Sequence, residues 1–171
     1  MPVKRFLAAV NANEVFHRYL QSGQFVPAPT RKTLSNAMDV GNPSNFARIM
    51  DLYDKNHIRI REDITSESVS DAQTIRAIEQ VHDQYRYILD PHGAVGFAAT
   101  QKMGNDHKIT GRTLLLETAH PAKFIDVLPE RIAAQVKIPA RLQSALDKTK
   151  KAERITAEYD GFKDQLIKLL R

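Results

Sequence analysis

A short stretch in the first third of the chain has the residue types and the spacing of an anion-binding site. Its sequence is GNPSNFAR, from Gly41 to Arg48. Pro43 restricts Asn42 to an extended backbone, and the Ser44 hydroxyl can accept a hydrogen bond from a free amide in the first turn of a helix. A polar loop that ends on a helix N-terminus presents N–H groups and a positive dipole to an anion. Because most capped helices bind nothing, the residues alone favour a capped turn over an anion site.

The elements that would position this stretch are those of an α/β fold. Met1–Val10 ends in FLAAV, which is typical of a buried strand in a parallel sheet. Asn11 or Asn13 is predicted to cap a helix that stops at Ser22-Gly23. A second helix is predicted to open at Ser44, because apolar residues then recur with the spacing of one helix face, at Phe46, Ile49, Met50 and Tyr53.

The second half of the chain is predicted to be mostly helical. Lys55–Val69 is polar and is predicted to be a loop or weak edge structure. Ser70–Gln73 has the sequence of a capping box, and the helix that it opens is predicted to continue through Leu89. Asp90 would cap the next helix, with Pro91 at its first position. Thr113–Glu117 (TLLLE) is predicted to be a second buried strand. Two strands among five or more helices make too little sheet for a complete α/β domain.

Composition limits the classes of protein. The chain has 171 residues, of which 42% are hydrophobic and 26% are charged, enough for one domain or a piece of a larger one. It has no cysteine, which excludes disulfides and suits the cytoplasm. It has neither an apolar run of the roughly 20 residues that a membrane span needs nor a signal-peptide pattern, so no membrane partner is predicted. The histidines lack ligand spacing, so no metal site is predicted.

Four segments of the chain resemble threonine synthase, a pyridoxal 5'-phosphate enzyme, and they occur in the order of that family. They are MPVKRFLAAVNANEVF, TLSNAMDVGNPSNFAR, DPHGAVGFAA and ETAHPAKF. The resemblance covers nearly the whole chain and implies the C-terminal portion of the enzyme, whose fold is tryptophan-synthase-β-like (fold type II). The expected fold class is therefore α/β, a helix-rich part of a three-layer domain. Residues 1–171 would form a single incomplete domain, because the family's Schiff-base lysine and cofactor-phosphate loop lie upstream of the matching segments.

The resemblance also implies an activity. Threonine synthase converts O-phospho-L-homoserine and water to L-threonine and phosphate with pyridoxal 5'-phosphate as cofactor. The implied partner is this small-molecule substrate, with no nucleic acid, and the complete enzyme would be a monomer or homodimer. No catalytic residue is assigned to this chain, which alone is expected to be inactive.

Site residues follow from the matched motifs. Thr118 in ETAH is expected to face the pyridine nitrogen of the cofactor; the alternative is that it caps a helix starting near Pro121. Asn42, Ser44 and Arg48 are expected to bind the substrate phosphate; the alternative makes them a turn residue, a helix cap and a surface cation. Five further residues have either a site role or a purely structural one: Asp90, His92, His120, Lys123 and Asp39. The structural role is favoured for Asp90, His92 and His120, whereas Lys123 could face an anion together with His120.

Two other functions remain open from the sequence. One is a different fold-type II pyridoxal-phosphate lyase, such as a dehydratase. The other is a non-catalytic module that binds an acidic partner through the basic cluster that contains Lys148, Lys150 and Lys151.

Overall fold

A computed structural model describes residues 3–105, 111–152, 154–155 and 157–170. They form two compact units, the first ending at Lys137 and the second beginning at Ile138. The first unit contains a small parallel sheet with helices packed on it, so the fold class is α/β and rich in helix, as predicted. No helix in the described ranges is long and apolar enough to cross a membrane.

The sheet has two strands. β1 (Phe6–Val10) pairs in parallel with β2 (Ile64–Ser68), in a register that runs from Phe6 opposite Ile64 to Val10 opposite Ser68. β1 is the strand predicted from FLAAV. Lys55–Val69, which was predicted to be a loop or weak edge structure, contains a helix that was not predicted and the short strand β2, which has a single neighbour among the described residues. Its sequence, ITSES, lacks the apolar run of a buried strand. Its one buried residue, Ser66, is polar, and the other four are only partly buried.

Three short helices connect the two strands: α1 (Val15–Ser22), α2 (Phe46–Leu52) and α3 (His57–Asp63). Their apolar faces meet in one cluster, whose buried members are Tyr19, Leu20, Phe46, Tyr53 and Ile60. The predicted cap of α1 is wrong. Glu14 occupies the cap position without a side-chain hydrogen bond, because Asn11 and Asn13 are engaged elsewhere.

Two longer helices follow β2. α4 (Asp71–Tyr85) opens with the predicted capping box of Ser70 and Gln73. It ends four residues earlier than predicted, because Arg86 adopts the left-handed conformation (φ 56°) and closes the helix. α5 (Pro91–Asn105) begins with Pro91 at its first position. α5 packs against α4 and both strands, and the α4–α5 core includes Ile78, Val81, Leu89 and Ala94.

The predicted strand at Thr113–Glu117 is absent: this segment has no sheet partner among the described residues. Leu114 and Leu116 are 71% and 73% exposed, whereas Leu115 and Glu117 point at α5, where they lie against Gly96 and Gly93. The alternation is that of a strand with one face covered. A strand needs a neighbour that offers backbone hydrogen bonds, and none of the described residues provides one here.

Two turns of 3-10 helix (Pro121–Lys123 and Ile125–Val127) and α6 (Glu130–Ala133) complete the first unit. The second unit contains α7 (Ala140–Leu146) and α8 (Tyr159–Leu169), which have no buried residues. The lysines of the basic cluster, Lys148, Lys150 and Lys151, are exposed in this unit.

Candidate functional site

The loop before α2 (residues 33–45) is fixed at the carboxyl end of the parallel sheet. Asp39 is the centre of the attachment: its carboxylate accepts hydrogen bonds from the Thr33 amide (2.9 Å) and hydroxyl (2.7 Å), and from the side-chain amides of Asn11 (2.9 Å) and Asn13 (3.0 Å). Asn11 directly follows β1 and is 1% exposed. In α/β proteins ligands bind outside the carboxyl ends of the strands. The loop therefore lies where such a fold places its sites, and Asp39 has the orienting role rather than that of a plain turn residue.

The same loop also contacts the N-termini of the two long helices. The amide of Leu34 donates to the Asp71 carboxylate at the start of α4 (3.2 Å). The amide of Ala37 donates to Nε2 of His92 in the first turn of α5 (3.1 Å). Ala37 belongs to a 3-10 turn, Asn36–Met38. The positive ends of two helix dipoles thus lie close to the loop, a favourable surrounding for an anion.

Gly41 allows a second segment to cross this loop closely. The Ala28 amide donates to the Gly41 carbonyl (2.9 Å), and the Gly41 amide donates to the Thr30 hydroxyl (3.2 Å). A Cβ on Gly41 would overlap the Ala28 carbonyl. The glycine is therefore required by close backbone approach.

Ser44 lines an open cleft of about 470 Å³ beside this loop. The cleft lies against the end of β1 and the start of α1, and its wall is mostly apolar; the other lining residues are Val10, Asn13, Val15, Phe16, Met38, Val40, Pro43 and Asn45. Asn42, Arg48 and Thr118 are not among them. Of the three residues predicted to hold a phosphate, the structure therefore places only Ser44 in the cleft wall.

Ser44 is not the helix cap that the sequence predicts. α2 starts at Phe46, with Asn45 at the cap position and no side-chain hydrogen bond there. Asn42, Ser44 and Arg48 are all exposed, and none of their side chains has a hydrogen bond or ion pair to another residue in the described ranges. The cap alternative is therefore wrong for Ser44, and the polar groups of all three side chains are open to a ligand.

Thr118 does not cap a helix either. The 3-10 turn that begins at Pro121 is capped by His120, whose Nδ1 accepts the Ala122 amide (3.1 Å). This capping bond confirms a structural role for His120. The Thr118 side chain is exposed and has no hydrogen bond to any described residue. Its hydroxyl is therefore free to donate to a ligand.

A cluster of ionisable side chains lies directly before Thr118. Asp90 is fully buried, and its Oδ1 accepts the His92 amide (2.9 Å) and lies 2.5 Å from His92 Nδ1. Glu117 points its carboxyl at Asp90 and lies so close to Gly93 that a Cβ there would overlap it. His92 also packs edge-on against Phe124, with 4.9 Å between the ring centroids. The cluster joins the segment that ends at Thr118 to the first turn of α5.

The two carboxyls have shifted pKa values in opposite directions. Burial raises the pKa of Glu117 to about 8, and the adjacent Asp90 carboxylate adds to the rise. Burial alone would also raise the pKa of Asp90, but the adjacent Glu117 carboxyl group and the hydrogen bonds from the His92 amide and the His92 ring lower it below its usual range. Glu117 was not predicted from the sequence, because it looks like the ordinary polar end of an apolar strand.

Comparisons with known proteins agree on one family. The sequence profile described as "Threonine synthase, C-terminal" matches residues 93–166. Threonine synthase from Haemophilus influenzae is 34% identical over 161 residues, which are 94% of this chain and 36% of that protein. The crystal structure of threonine synthase from Escherichia coli superposes with a TM-score of 0.81 at 32% identity, covering 98% of this chain and 38% of that one. Over nearly its whole length the chain is similar to part of threonine synthase, and residues 93–166 match the C-terminal model of that family.

The chain spans little more than a third of the length of the threonine synthases that it matches. A further structure, of PLP-bound threonine synthase from Brucella melitensis, is 24% identical with a TM-score of 0.75 and covers 88% of this chain and 37% of that one. At that identity the likeness concerns the fold alone. That threonine synthase contains the cofactor. In this chain, no group of three His, Cys, Asp or Glu side chains in the described ranges could hold a metal ion.

Proposed function

We propose that this chain is the C-terminal portion of a threonine synthase, which converts O-phospho-L-homoserine and water to L-threonine and phosphate when an N-terminal portion completes the domain. The support is the match of nearly the whole chain, in sequence and in fold, to enzymes with that name, and the match of residues 93–166 to the C-terminal model of the family. The lysine that binds the cofactor covalently and the cofactor-phosphate loop would lie in the N-terminal portion. The chain by itself is therefore expected to be inactive.

The residues present fit one side of a pyridoxal-phosphate site. Thr118 offers a neutral, unbonded hydroxyl at the end of an extended segment, and a hydroxyl donates well to an unprotonated pyridine nitrogen. A carboxylate at that position would instead favour the protonated ring. When bound, the cofactor supplies a conjugated ring that takes up the electrons released as protons leave the substrate carbons. Thr118 would orient this ring from one side.

The substrate phosphate is proposed to lie at the mouth of the cleft beside the loop that Asp39 anchors. Ser44 provides a hydroxyl in the cleft wall, and Asn42, two residues earlier in the sequence, provides an exposed side-chain amide. Arg48 adds a guanidinium that can form two parallel hydrogen bonds with a phosphate. Because Arg48 is exposed and has no acidic partner in the described ranges, its charge is available for this role.

The test is a joined enzyme, in which this chain replaces the matching C-terminal portion of Escherichia coli threonine synthase. Threonine and inorganic phosphate are measured with O-phospho-L-homoserine, and ammonia release is measured with serine and threonine. Formation of threonine and phosphate in equal amounts is expected. Ammonia release from serine without threonine formation would instead favour a dehydratase. A folded, cofactor-loaded joined enzyme that does neither would overturn the proposal.

A further inference from the structure

Two carboxyl groups face each other in a buried position with no cation to balance them. Asp90 is 0% exposed. Its Oδ1 takes both bonds from His92, whereas Oδ2 and both carboxyl oxygens of Glu117 are buried and have no hydrogen-bond donor in the described ranges. Buried oxygens without a donor cost free energy, and two adjacent buried carboxylates cost more. One proton between the two carboxyls lowers both costs, because it cancels one charge and joins one Glu117 oxygen to Asp90 Oδ2, so that only the second Glu117 oxygen is left without a donor.

His92 does not supply a positive charge. Its Nε2 accepts the backbone amide of Ala37 (3.1 Å), and an amide can only donate, so Nε2 carries a lone pair. The proton of the ring is therefore on Nδ1, where it donates to Asp90 Oδ1. An imidazole with one proton is neutral. Among the described residues, the ionisable groups that act on the two carboxyls are His92 and the carboxyls themselves.

The surroundings decide which carboxyl carries the proton. Asp90 precedes α5, receives two donors from His92 and lies at the positive end of the helix dipole, all of which favour its ionised form. Glu117 has no donor at hydrogen-bond geometry, and only the backbone amide of Asp90 acts to lower the pKa of its carboxyl, as the smallest of the effects on it. It lies against the bare Cα of Gly93, where the absence of a side chain makes room for it.

We propose that Glu117 is a positioning residue that keeps its proton at neutral pH and donates it to Asp90 Oδ2. This hydrogen bond attaches the segment that ends at Thr118 to the first turn of α5. Through His92 and Ala37 the attachment continues to the loop that carries the proposed phosphate site. The pKa of Glu117, raised to about 8 mainly by burial, agrees with a proton retained at pH 7. The effect of this hydrogen bond on Thr118 rests on the proposed function. The shared proton itself does not depend on that function.

The proton is observed directly by NMR of the full chain. The side-chain carboxyl carbons of its eight glutamates are labelled with ¹³C and titrated from pH 3 to 10. One carbon is expected to titrate near pH 8 and to be missing in Glu117→Gln. If the Glu117 signal instead titrates at the ordinary value for a glutamate, the proposal is overturned. Glu62→Gln, at an exposed position on α3, is the matched control and should leave the high-pH signal unchanged.

Asp90→Asn is the second variant, and it keeps the proposal testable if Glu117→Gln does not fold. An asparagine can cap α5 and can donate its amide to an ionised Glu117, so the Glu117 midpoint should fall by more than one pH unit. An unchanged midpoint would mean that the two groups do not interact, and would contradict the shared proton.

The positioning role is tested in the joined enzyme through its pH profile. Glu117→Gln keeps a donor at all pH values, so its activity at pH 7 should match that of the unchanged enzyme and should exceed it severalfold at pH 9. Glu117→Ala should be low throughout. Equal pH profiles for the glutamine variant and the unchanged enzyme would refute the role in positioning. If the joined enzyme is inactive, the proposed function fails, while the NMR titration still decides the shared proton.

Discussion

Asp39 is the residue on which the conformation of the proposed phosphate loop depends. It satisfies donors from two different segments, the end of β1 and the start of the loop. Its position between a Met and a Val in NAMDVG does not reveal this, because the partners Asn11 and Asn13 are 26 or more residues away in sequence. A sequence identifies a polar turn residue, but only long-range packing determines which donors it meets.

Replacing Asp39 by Ala is expected to destabilise the chain by about 1–3 kcal/mol, since the buried amide of Asn11 and its neighbours lose their acceptor. Urea unfolding measures this change. Asp51→Ala, at an exposed position on α2, should stay within about 0.5 kcal/mol of the unchanged chain. Equal effects of the two substitutions would contradict the anchoring role of Asp39.

Glu117 makes the stability of the chain depend on pH in a defined direction. Its pKa is about 8 in the folded chain and near 4.5 when unfolded. Between these values the folded state holds one proton more than the unfolded state, so the stabilisation is complete below about pH 4.5 and is lost as pH rises to 8. The free energy of unfolding of Glu117→Gln, measured by urea unfolding at several pH values, should fall less across this window. Parallel curves for the two proteins would contradict the prediction.

Thr118 should act through its hydroxyl alone. In the joined enzyme, Thr118→Ser keeps the hydroxyl and is expected to retain activity within a fewfold, whereas Thr118→Val, which is similar in size, should lower it at least tenfold. Because Thr118 is exposed and has no hydrogen bond to a described residue, neither substitution should change the free energy of unfolding by more than about 0.5 kcal/mol. Activity that is equal in the serine and valine variants would remove Thr118 from the cofactor site.

At the scale of elements, the starts of the two long helices were easier to predict than the sheet or the caps of α1 and α2. Ser70 with Gln73, and Asp90 with Pro91, are local signals, and both helices begin where these signals occur. β2 was predicted only as a loop or weak edge structure, and Thr113–Glu117 was predicted to be a buried strand, because strand formation depends on distant neighbours as well as on local sequence. The left-handed Arg86 that ends α4 has no local sequence signal either, since the helical periodicity continues through Ile88 and Leu89.

Two glycines of α5 differ in what lies beside them, and alanine substitutions test this difference. Gly→Ala in a helix normally stabilises by about 1 kcal/mol. Gly104 has open space where a Cβ would lie, so Gly104→Ala should raise stability by up to this amount. Gly93→Ala should lower the free energy of unfolding by about 1–3 kcal/mol, because the new methyl group displaces the Glu117 carboxyl. Thermal unfolding compares the two variants; stabilisation by both would show that Glu117 is not held at Gly93.

At the scale of the whole molecule, we expect an N-terminal portion to cover the exposed side of residues 113–117. Leu114 and Leu116 are more than 70% exposed, while the other side of the same segment packs on α5. Apolar side chains exposed together on one side of an extended segment are typical of an interaction surface. The known threonine synthases, which are nearly three times as long as their matching region, suggest what covers it.

Replacing Leu114 and Leu116 together by Lys should therefore have different effects in two settings. In the chain alone, the free energy of unfolding should change by less than about 0.5 kcal/mol per site, because both side chains are already mostly exposed to water. In the joined enzyme, the same pair should abolish folding or activity, since two charges would be buried without partners. Full activity of the doubly substituted joined enzyme would exclude this surface as the contact.

The β1–β2 pair has two open edges within the described residues. Each strand bonds to a single neighbour within the described residues, so the outer rows of amides and carbonyls on both sides of the pair have no ladder partner. Rows of this kind accept a strand from any chain that reaches them, including an identical copy. Concentrated preparations of the polypeptide by itself should accordingly tend toward intermolecular β-sheet, and dilute handling or a companion polypeptide would suppress that tendency.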